Sequence, residues 1–254
     1  MKLKDAIDRE LSACEAAKGV KVLIAVESGS RCWGFASPDS DYDVRFVYAR
    51  PKDEYLSLKR VHDTIEWRLD EELDVVGWDV SKFLTLMRGS NPQTFEWISS
   101  TIVYRELPCF QEVRDIAPLC FNPVKNAHHY LGMVRKHDSR YLRNGNVNRK
   151  RYLYCVRGIL ACRWAARVRK PVPMAFGELA DALLEPEMRP LVDELIEVKR
   201  QGHEKERCEP IKPLEDWILA QLDQLEDEIA LLKAPKSVEW PVLDRVFIDC
   251  LDLC

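Results

Sequence analysis

The chain has 254 residues, of which 46% are hydrophobic and 31% are charged, and its net charge at neutral pH is −4. This length and composition allow a sizeable core in one or two domains. The slightly acidic balance excludes a protein-wide basic field of the kind that dominates non-specific nucleic-acid binding, so a nucleic acid would need a local basic patch.

The nine cysteines and the N-terminal residues both indicate a cytoplasmic protein. The cysteines are odd in number and form no C-x-x-C pair, so reduced thiols are expected rather than disulfides or a zinc site. The first 19 residues carry charges throughout and lack the apolar core of a signal peptide. No run of about 18 apolar residues is present to cross a membrane.

The N-terminal part alternates between helix and strand patterns. Leu3, Ile7 and Leu11 recur at helical spacing, which predicts a helix over 3–18. Strands are predicted over 20–27, 41–50, 60–69 and 72–80. Asp79 is predicted to cap the helix that follows the last of these strands.

The C-terminal part is helical in pattern. Helices are predicted over 123–144, 148–169, 176–184, 187–206 and 213–233. Residues 95–104 fit a helix as well as a strand, and the proline-rich, irregular stretch 107–123 marks the expected domain boundary. The sequence therefore predicts an α+β protein, with an N-terminal domain of mixed sheet and helices over 1–108 and an all-α domain over 109–254.

The stretch SGSRCWGFASPDSDYDVRFVY, residues 28–48, combines a possible phosphate holder with a possible metal holder. Gly29 permits close backbone approach just after a strand, and the hydroxyl of Ser30 and nearby N–H groups can bind a phosphate. Asp41 and Asp43 are expected on one face of the next strand, about 7 Å apart along the chain. Carboxylate pairs suit a hard cation such as Mg²⁺, which would also offset their mutual repulsion.

Arg45 is predicted to lie on the same strand face, where it can pair with the aspartates or meet a phosphate oxygen. Two other interpretations apply to this stretch. A calcium loop would place Asp39, Asp41 and Asp43 at its first three ligand positions, but Val44 then stands where glycine is needed. The other alternative is an ordinary surface turn with solvated carboxylates.

A Gly-Ser pair after a strand, followed by Asp-x-Asp on the next strand, resembles the DNA-polymerase-β-like nucleotidyltransferase superfamily. ESGSRCWGFASPDSDYDVRFVY (27–48), YLSL (55–58) and LDVVGWDVSKFL (73–84) are similar to one branch, the predicted nucleotidyltransferases associated with RNA repair and RNA ligases. The resemblance is dense over 27–104 and thinner through KRYLYCVRGILACRW (150–164).

The resemblance implies a polymerase-β-like palm that transfers nucleotides. The turn of Gly29 and Ser30, with Arg31 beside it, would hold a nucleoside triphosphate, with ATP as the expected donor. Asp41, Asp43 and a third carboxylate would hold two Mg²⁺ ions, which activate an attacking hydroxyl and stabilise the leaving pyrophosphate. The nucleoside monophosphate would pass to a hydroxyl or phosphate acceptor, such as an RNA 3′ end.

Asp74 is the predicted third carboxylate, because L-D-V-V matches the apolar-Asp-apolar strand of the superfamily. Glu66, in T-I-E-W, is also flanked by apolar residues and is a rival. Asp79 is the second rival, although its expected role is that of a helix cap. A solvated carboxylate at a sheet edge is the alternative for all three.

Lys150, Tyr154 and Arg157 share one face of a predicted helix in the C-terminal domain. They are predicted to contact the nucleotide, as the wall that closes the nucleotide cleft; a solvated basic face with a packed tyrosine fits the pattern equally well. Basic residues are concentrated over 143–170, and this basic segment is the predicted contact for an RNA partner.

Two functions are therefore in competition. The first is an active Mg²⁺-dependent nucleotidyltransferase, and the second is a non-catalytic nucleotide-binding or antitoxin-like protein with the same fold. The presence of Gly29, Ser30, Asp41 and Asp43 favours the enzyme. The sequence leaves open whether the acceptor is RNA, a protein side chain or a small molecule, and what the oligomeric state is.

Overall fold

The computed structural model describes residues 3–38, 40–59, 61–70, 72–138, 147–202 and 207–252. Among them, five strands form one mixed sheet: β1 (Lys21–Ser28), β2 (Tyr42–Ala49), β3 (Thr64–Leu69), β4 (Leu73–Asp79) and β5 (Val103–Glu106). The described helices are α1 (Leu3–Lys18), α2 (Ser30–Trp33), α3 (Lys52–Tyr55), α4 (Val80–Arg88), α5 (Pro92–Ser99), α6 (Phe110–Cys120), α7 (Pro123–His137), α8 (Arg149–Arg163), α9 (Phe176–Leu183), α10 (Arg189–Arg200), α11 (Lys212–Ala230) and α12 (Trp240–Leu251). The predicted α+β class is confirmed.

The sheet has the strand order β3-β4-β2-β1-β5. β2 and β4 run parallel, whereas β1 pairs antiparallel with β2 and β5, and β3 pairs antiparallel with β4. In the parallel pair Asp43 lies opposite Asp74 at one end, and Tyr48 lies opposite Asp79 at the other. The register therefore places two of the predicted site residues side by side.

The helix α1 covers one face of the sheet. Its buried side chains Ile7 and Leu11 pack in one core cluster with Val44, Phe46 and Val75. Because side chains alternate along a strand, the neighbours of these strand residues project from the opposite face. Because the apolar side of α1 covers one face of the sheet, the opposite face remains for the candidate site.

The opposite face is covered by α4 and α5 near the C-terminal ends of β2 and β4. The Trp78 and Trp97 rings lie 4.2 Å apart between their centres, and Phe83 stacks on Trp97. The predicted cap is confirmed, because Asp79 accepts a hydrogen bond from the backbone N–H of Ser81 at the start of α4.

Three segments differ from their predictions. Residues 95–104 contain the end of α5 and the beginning of β5, so both patterns are present in succession. The stretch 107–123, predicted to be irregular, contains α6; Pro118 lies in its last turn and Pro123 at the first position of α7, where the missing N–H costs little. The helix α12 was not among the predicted helices.

The chain divides into two compact units whose boundaries differ from the predicted 1–108 and 109–254. Unit 1 contains Met1–Cys32, Asp41–Phe121 and Lys236–Cys254, and unit 2 contains Trp33–Ser40 and Asn122–Pro235. α6 joins the sheet unit because Phe110 packs against Phe83, 5.9 Å between ring centres. α12 joins it as well, because Phe247 packs against Tyr55 at 5.1 Å.

The described cysteines, all but the last residue of the chain, are free thiols, as expected. Seven of these eight are buried. Within the described ranges no helix is both long enough and apolar enough to cross a membrane. The cytoplasmic location stays a prediction.

Candidate active site

The turn after β1 is built around Gly29. Its φ is +73°, a conformation that glycine adopts without strain. A Cβ atom at this position would lie 2.2 Å from Oδ2 of Asp43, so the backbone of the turn lies directly against this carboxylate. Ser30 follows as the first residue of α2. The proposed phosphate holder and one proposed metal ligand are therefore neighbours.

Arg31 connects this turn to the start of β2. Its Nε donates a hydrogen bond of 3.2 Å to the backbone oxygen of Asp41, and its guanidinium lies 3.6 Å from the centre of the Tyr42 ring. These contacts fix the chain just before Asp43. The predicted role of Arg31 in nucleotide binding stays a prediction.

Asp43 and Asp74 lie side by side, on the sheet face opposite α1, and Arg45 lies between their carboxylates. One nitrogen of Arg45, Nη2, donates to Oδ1 of Asp43 at 3.1 Å and to Oδ2 of Asp74 at 2.7 Å. Nη1 donates to the backbone oxygens of Val44 and Asp74, at 3.2 and 2.8 Å. Arg45 thus offsets the repulsion between the two aspartates.

The second oxygen of Asp74, Oδ1, is buried and has no hydrogen-bond partner among the described residues. A buried carboxylate oxygen without a donor is costly, so such atoms normally have a partner. A hard cation is one partner that would satisfy it. This orphaned oxygen indicates that the carboxylates present here are suited to Mg²⁺.

Asp41 lies apart from the strand. β2 begins at Tyr42, one residue later than predicted, and Asp41 is exposed to solvent in front of it. The alternation that was expected to put Asp41 on the face of Asp43 therefore does not apply. In the described ranges no three acidic, histidine or cysteine side chains converge as a ready metal site. The predicted ligand set of Asp41, Asp43 and Asp74 is not assembled.

The two rivals of Asp74 lie elsewhere. Asp79 lies at the other end of β4, and its carboxylate accepts hydrogen bonds from the Tyr55 hydroxyl at 3.0 Å and from the Ser81 hydroxyl at 2.7 Å. Glu66 lies on β3 opposite Val76 and is exposed. Of the three candidates, only Asp74 is the direct neighbour of Asp43 in the sheet.

Glu27 is a buried acid that the sequence analysis missed. Its Oε1 accepts a hydrogen bond of 3.1 Å from the backbone N–H of Asp43, and its Oε2 accepts one from the Tyr104 hydroxyl. Burial, with the nearby Asp43 carboxylate adding to it, raises the pKa of Glu27 to about 7. Burial and the adjacent Glu27 also raise the pKa of Tyr104. The available signal was a lone acid at the end of an apolar strand.

The structure brings Lys150, Tyr154 and Arg157 together on α8, within unit 2. The Arg157 guanidinium lies 4.2 Å from the centre of the Trp33 ring, Tyr154 packs edge-on against the same ring at 5.2 Å, and the Lys150 ammonium lies 5.8 Å from the Tyr154 ring centre. Arg157 is only 3% exposed. Trp33 therefore packs on this face of α8, and the contact of the face with a nucleotide stays a prediction.

The basic segment is partly neutralised inside unit 2. Arg163 is buried and paired with Glu185, and Arg167 pairs with Glu228 at 2.6 Å. Arg143 lies outside the described residues. Fewer cations than the sequence indicated are therefore available to an RNA, because two of them already have acidic partners.

Comparison with known proteins identifies the family. The family model "RNA repair pathway DNA polymerase beta family", RlaP, matches residues 3–249. The chain is a member of the RlaP family. The superfamily and the RNA-repair branch expected from the sequence motifs are both confirmed.

Another protein similar to this RlaP family member comes from Bacillus subtilis (strain 168) and carries the name "Uncharacterized protein YcgL". It is 37% identical over 252 residues, which cover 98% of this chain and 97% of that protein. A crystal structure of a nucleotidyltransferase-like protein from Exiguobacterium sibiricum matches 90% of this chain and 75% of its own, at 14% identity and a TM-score of 0.31. A TM-score this low does not establish a shared fold.

Proposed function

We propose that this RlaP family member is a Mg²⁺-dependent nucleotidyltransferase that moves a nucleoside monophosphate from a nucleoside triphosphate, ATP as the expected donor, to a hydroxyl or phosphate acceptor. Family membership supports nucleotidyl transfer in RNA repair. The observation that carries the proposal is the pair of Asp43 and Asp74, in register on adjacent strands and against the turn of Gly29.

Asp41, Asp43 and Asp74 are the proposed ligands of two Mg²⁺ ions. The orphaned Oδ1 of Asp74 supports this assignment, since oxygen donors are what Mg²⁺ selects. The chemistry that bound Mg²⁺ supplies in such sites is activation of the attacking hydroxyl and stabilisation of the leaving pyrophosphate. Asp41 lies directly before β2, two residues from Asp43, and its exposed carboxylate is proposed to join the other two on binding.

The other proposed roles concern the nucleotide. The backbone N–H groups after Gly29 and the hydroxyl of Ser30 bind phosphate oxygens, and the Gly29 turn holds the triphosphate close to Asp43. Arg31 and Arg45 neutralise phosphate charge by charge-assisted hydrogen bonds. From α8, Lys150, Tyr154 and Arg157 are also proposed to contact the nucleotide.

An RNA 3′ end is the proposed acceptor. The support is the RNA-repair description of the family, together with further basic residues of unit 2, namely Arg149, Arg151, Arg169 and Lys170. Positive side chains of this kind bind the phosphates of a nucleic acid without reading its sequence.

The test is incubation of the protein with each α-³²P-labelled nucleoside triphosphate, Mg²⁺ and RNA oligonucleotides that end in a 3′-hydroxyl or a 3′-phosphate. Pyrophosphate release and label transfer to RNA are expected, and both should stop with EDTA or in Asp43→Asn. Nucleotide binding without release of pyrophosphate, for every donor and acceptor, would favour the non-catalytic alternative. Pyrophosphate release without labelled RNA would keep the reaction but reject RNA as acceptor.

A further inference from the structure

The Arg45 guanidinium lies between the two strand carboxylates and bonds one oxygen of each. Its Nη2 is shared between Oδ1 of Asp43 and Oδ2 of Asp74, and its Nη1 is held by two backbone oxygens. The guanidinium is thus fixed by four acceptors, and its side chain is 19% exposed. A cation already lies between the two carboxylates.

This arginine and a divalent cation are attracted to the same two carboxylates: Arg45 bonds one oxygen of each, and Oδ1 of Asp74 is left without a partner among the described residues. A guanidinium does not lose its proton at any ordinary pH, so it cannot become neutral to make room for the metal. Like charges at contact distance repel strongly in a partly buried site. A metal ion held by Asp43 and Asp74 together would therefore be repelled by the guanidinium until the guanidinium had moved away.

We propose that Arg45 is a resident counter-cation, which holds Asp43 and Asp74 together in the metal-free protein and is released to the triphosphate when metal and nucleotide bind. This inference rests on the proposed function. A planar guanidinium pairs with phosphate as well as with carboxylate, so the triphosphate offers it an equivalent partner. The destination is close, because the Gly29 turn lies against the other oxygen of Asp43.

The consequence is coupled binding of metal and nucleotide. Metal alone binds weakly, because it must separate Arg45 from its partners without offering the guanidinium a new one. A triphosphate removes this penalty, so it raises the affinity for metal, and metal raises the affinity for the triphosphate by the same factor. Arg45 thereby favours metal binding at Asp43 and Asp74 only when a nucleotide is also bound.

The first measurement titrates the protein with Mn²⁺ alone and follows free Mn²⁺ by electron paramagnetic resonance. Arg45→Gln is expected to bind Mn²⁺ about tenfold more tightly than the unchanged protein, within the usual range of coupling between sites. The matched control is Arg68→Gln, because Arg68 also bridges two carboxylates, those of Glu10 and Asp70, in the same unit. Its Mn²⁺ affinity should not change.

Mn²⁺ affinity in Arg45→Gln that is equal to or weaker than in the unchanged protein would overturn the proposal. So would an equal gain in Arg68→Gln. Arg45→Lys is the second variant should Arg45→Gln fail to fold, since a single ammonium cannot reproduce the fork of contacts and an intermediate gain is expected. Adding Asp74→Asn to Arg45→Gln should remove the gain; a gain that persists would place the metal elsewhere and reject the proposal.

The second measurement repeats the Mn²⁺ titration with the non-hydrolysable analogue α,β-methylene-ATP. The analogue should raise Mn²⁺ affinity more in the unchanged protein than in Arg45→Gln; an equal rise in both would overturn the proposal. The two proposals fail separately. If Arg45→Gln binds Mn²⁺ more tightly but the unchanged protein transfers no nucleotide, the counter-cation proposal stands and the proposed enzyme activity is rejected. If the unchanged protein transfers nucleotides but Arg45→Gln has the same Mn²⁺ affinity, the enzyme activity stands and the counter-cation proposal is rejected.

Discussion

β2 and β4 bring an arginine and an aspartate together at both of their ends. The Asp74 end consists of Asp43, Arg45 and Asp74, and the Asp79 end of Tyr48, Arg50, Asp79 and their partners. At the Asp79 end the carboxylate is only 4% exposed, receives hydrogen bonds from Tyr55 and Ser81, and lies 3.7 Å from the Arg50 guanidinium. At the Asp74 end the carboxylate is 19% exposed and one of its oxygens has no donor in the described part of the chain.

The difference separates a structural carboxylate from a candidate catalytic one. Asp79 has its hydrogen-bonding capacity satisfied by the protein itself, so its removal should affect stability. Asp74 has capacity left over at a partly accessible position, which costs free energy unless a ligand uses it. The sequence analysis favoured Asp74 by resemblance and assigned Asp79 to a helix cap; the hydrogen bonds add a physical difference between two aspartates that are both flanked by apolar residues.

The largest expected effect is on nucleotide transfer. Asp74→Asn should reduce the rate of label transfer by at least about a hundredfold, because a metal ligand is lost, whereas Asp79→Asn should stay within about threefold of the unchanged protein. Glu66→Gln should also remain active, because Glu66 is not the neighbour of Asp43. An inactive Glu66→Gln together with an active Asp74→Asn would reverse the assignment of the third carboxylate.

The second prediction concerns Glu27, the buried acid behind Asp43. Its raised pKa, about 7 against an ordinary value of 4.5, means that the folded protein binds a proton that the unfolded chain has released. The free energy of unfolding should therefore fall as pH rises from about 4.5 through 7, by up to about 3 kcal/mol, and then level off. Denaturant titrations with EDTA at pH 5 and 8 measure the fall.

Glu27→Gln is the control for this pH dependence, because a neutral amide of similar shape has no proton to lose. The variant should match the unchanged protein at pH 5 and be the more stable of the two at pH 8. Parallel pH profiles of the two proteins would show that Glu27 titrates normally in the folded state.

The third prediction compares two glycines with positive φ in unit 1. Gly19→Ala should cost about 1 kcal/mol of stability, because alanine is strained at a φ of +63°, and Gly29→Ala should cost more, because it adds a close contact to the same kind of strain at +73°. Only Gly29→Ala places a methyl group against the Asp43 carboxylate, since nothing lies within 4 Å of a Cβ at Gly19. Transfer should therefore fall at least about tenfold in Gly29→Ala and hold in Gly19→Ala. Equal transfer rates in the two variants would contradict a role of the Gly29 turn in nucleotide transfer.

The smallest expected effect is on stability at the Asp79 end. Asp79→Asn should lower the free energy of unfolding by about 1 kcal/mol, because the amide still caps α4 but loses the negative charge beside Arg50 and one of the two acceptor oxygens. Asp74→Asn should change it by no more than about 0.5 kcal/mol, because the ion pair with Arg45 that is lost is partly exposed. Urea titrations of both variants decide the matter, and a larger loss for Asp74→Asn would contradict the comparison.

Local signals in the sequence predicted α1, β1 and the Asp79 cap, because each depends on residues that are neighbours along the chain. The same reasoning missed α6, where prolines at the ends of a helix resemble the prolines of a loop. Much of the candidate site followed from the Gly-Ser and Asp-x-Asp motifs. Their family resemblance supplied the role of each residue.

The contacts that complete the site depend on strand pairing across the chain, which no local pattern encodes. The register that puts Asp43 beside Asp74 joins residues 31 positions apart, and Arg45 was therefore left with two possible partners. The assignment of residues 33–40 to unit 2 depends on tertiary packing, since Phe35 meets the Phe176 ring at 5.5 Å. Neither the Asp43–Asp74 pairing nor the Phe35–Phe176 contact can be obtained from the spacing of residues along the sequence.

The divided composition of unit 1 has a consequence for the order of synthesis. A ribosome makes β1 to β5 first, with the short Trp33–Ser40 piece of unit 2 among them, then the rest of unit 2, Asn122–Pro235, and only afterwards the residues of α12. Yet α12 packs on early residues, with Phe247 against Tyr55 and Trp240 beneath the Arg88 guanidinium, 4.1 Å away. Domains usually fold as they emerge, from the N-terminus onward. In this protein the helical unit is the first that can be completed, and the sheet that carries Asp43 and Asp74 gains its last packing partner after it.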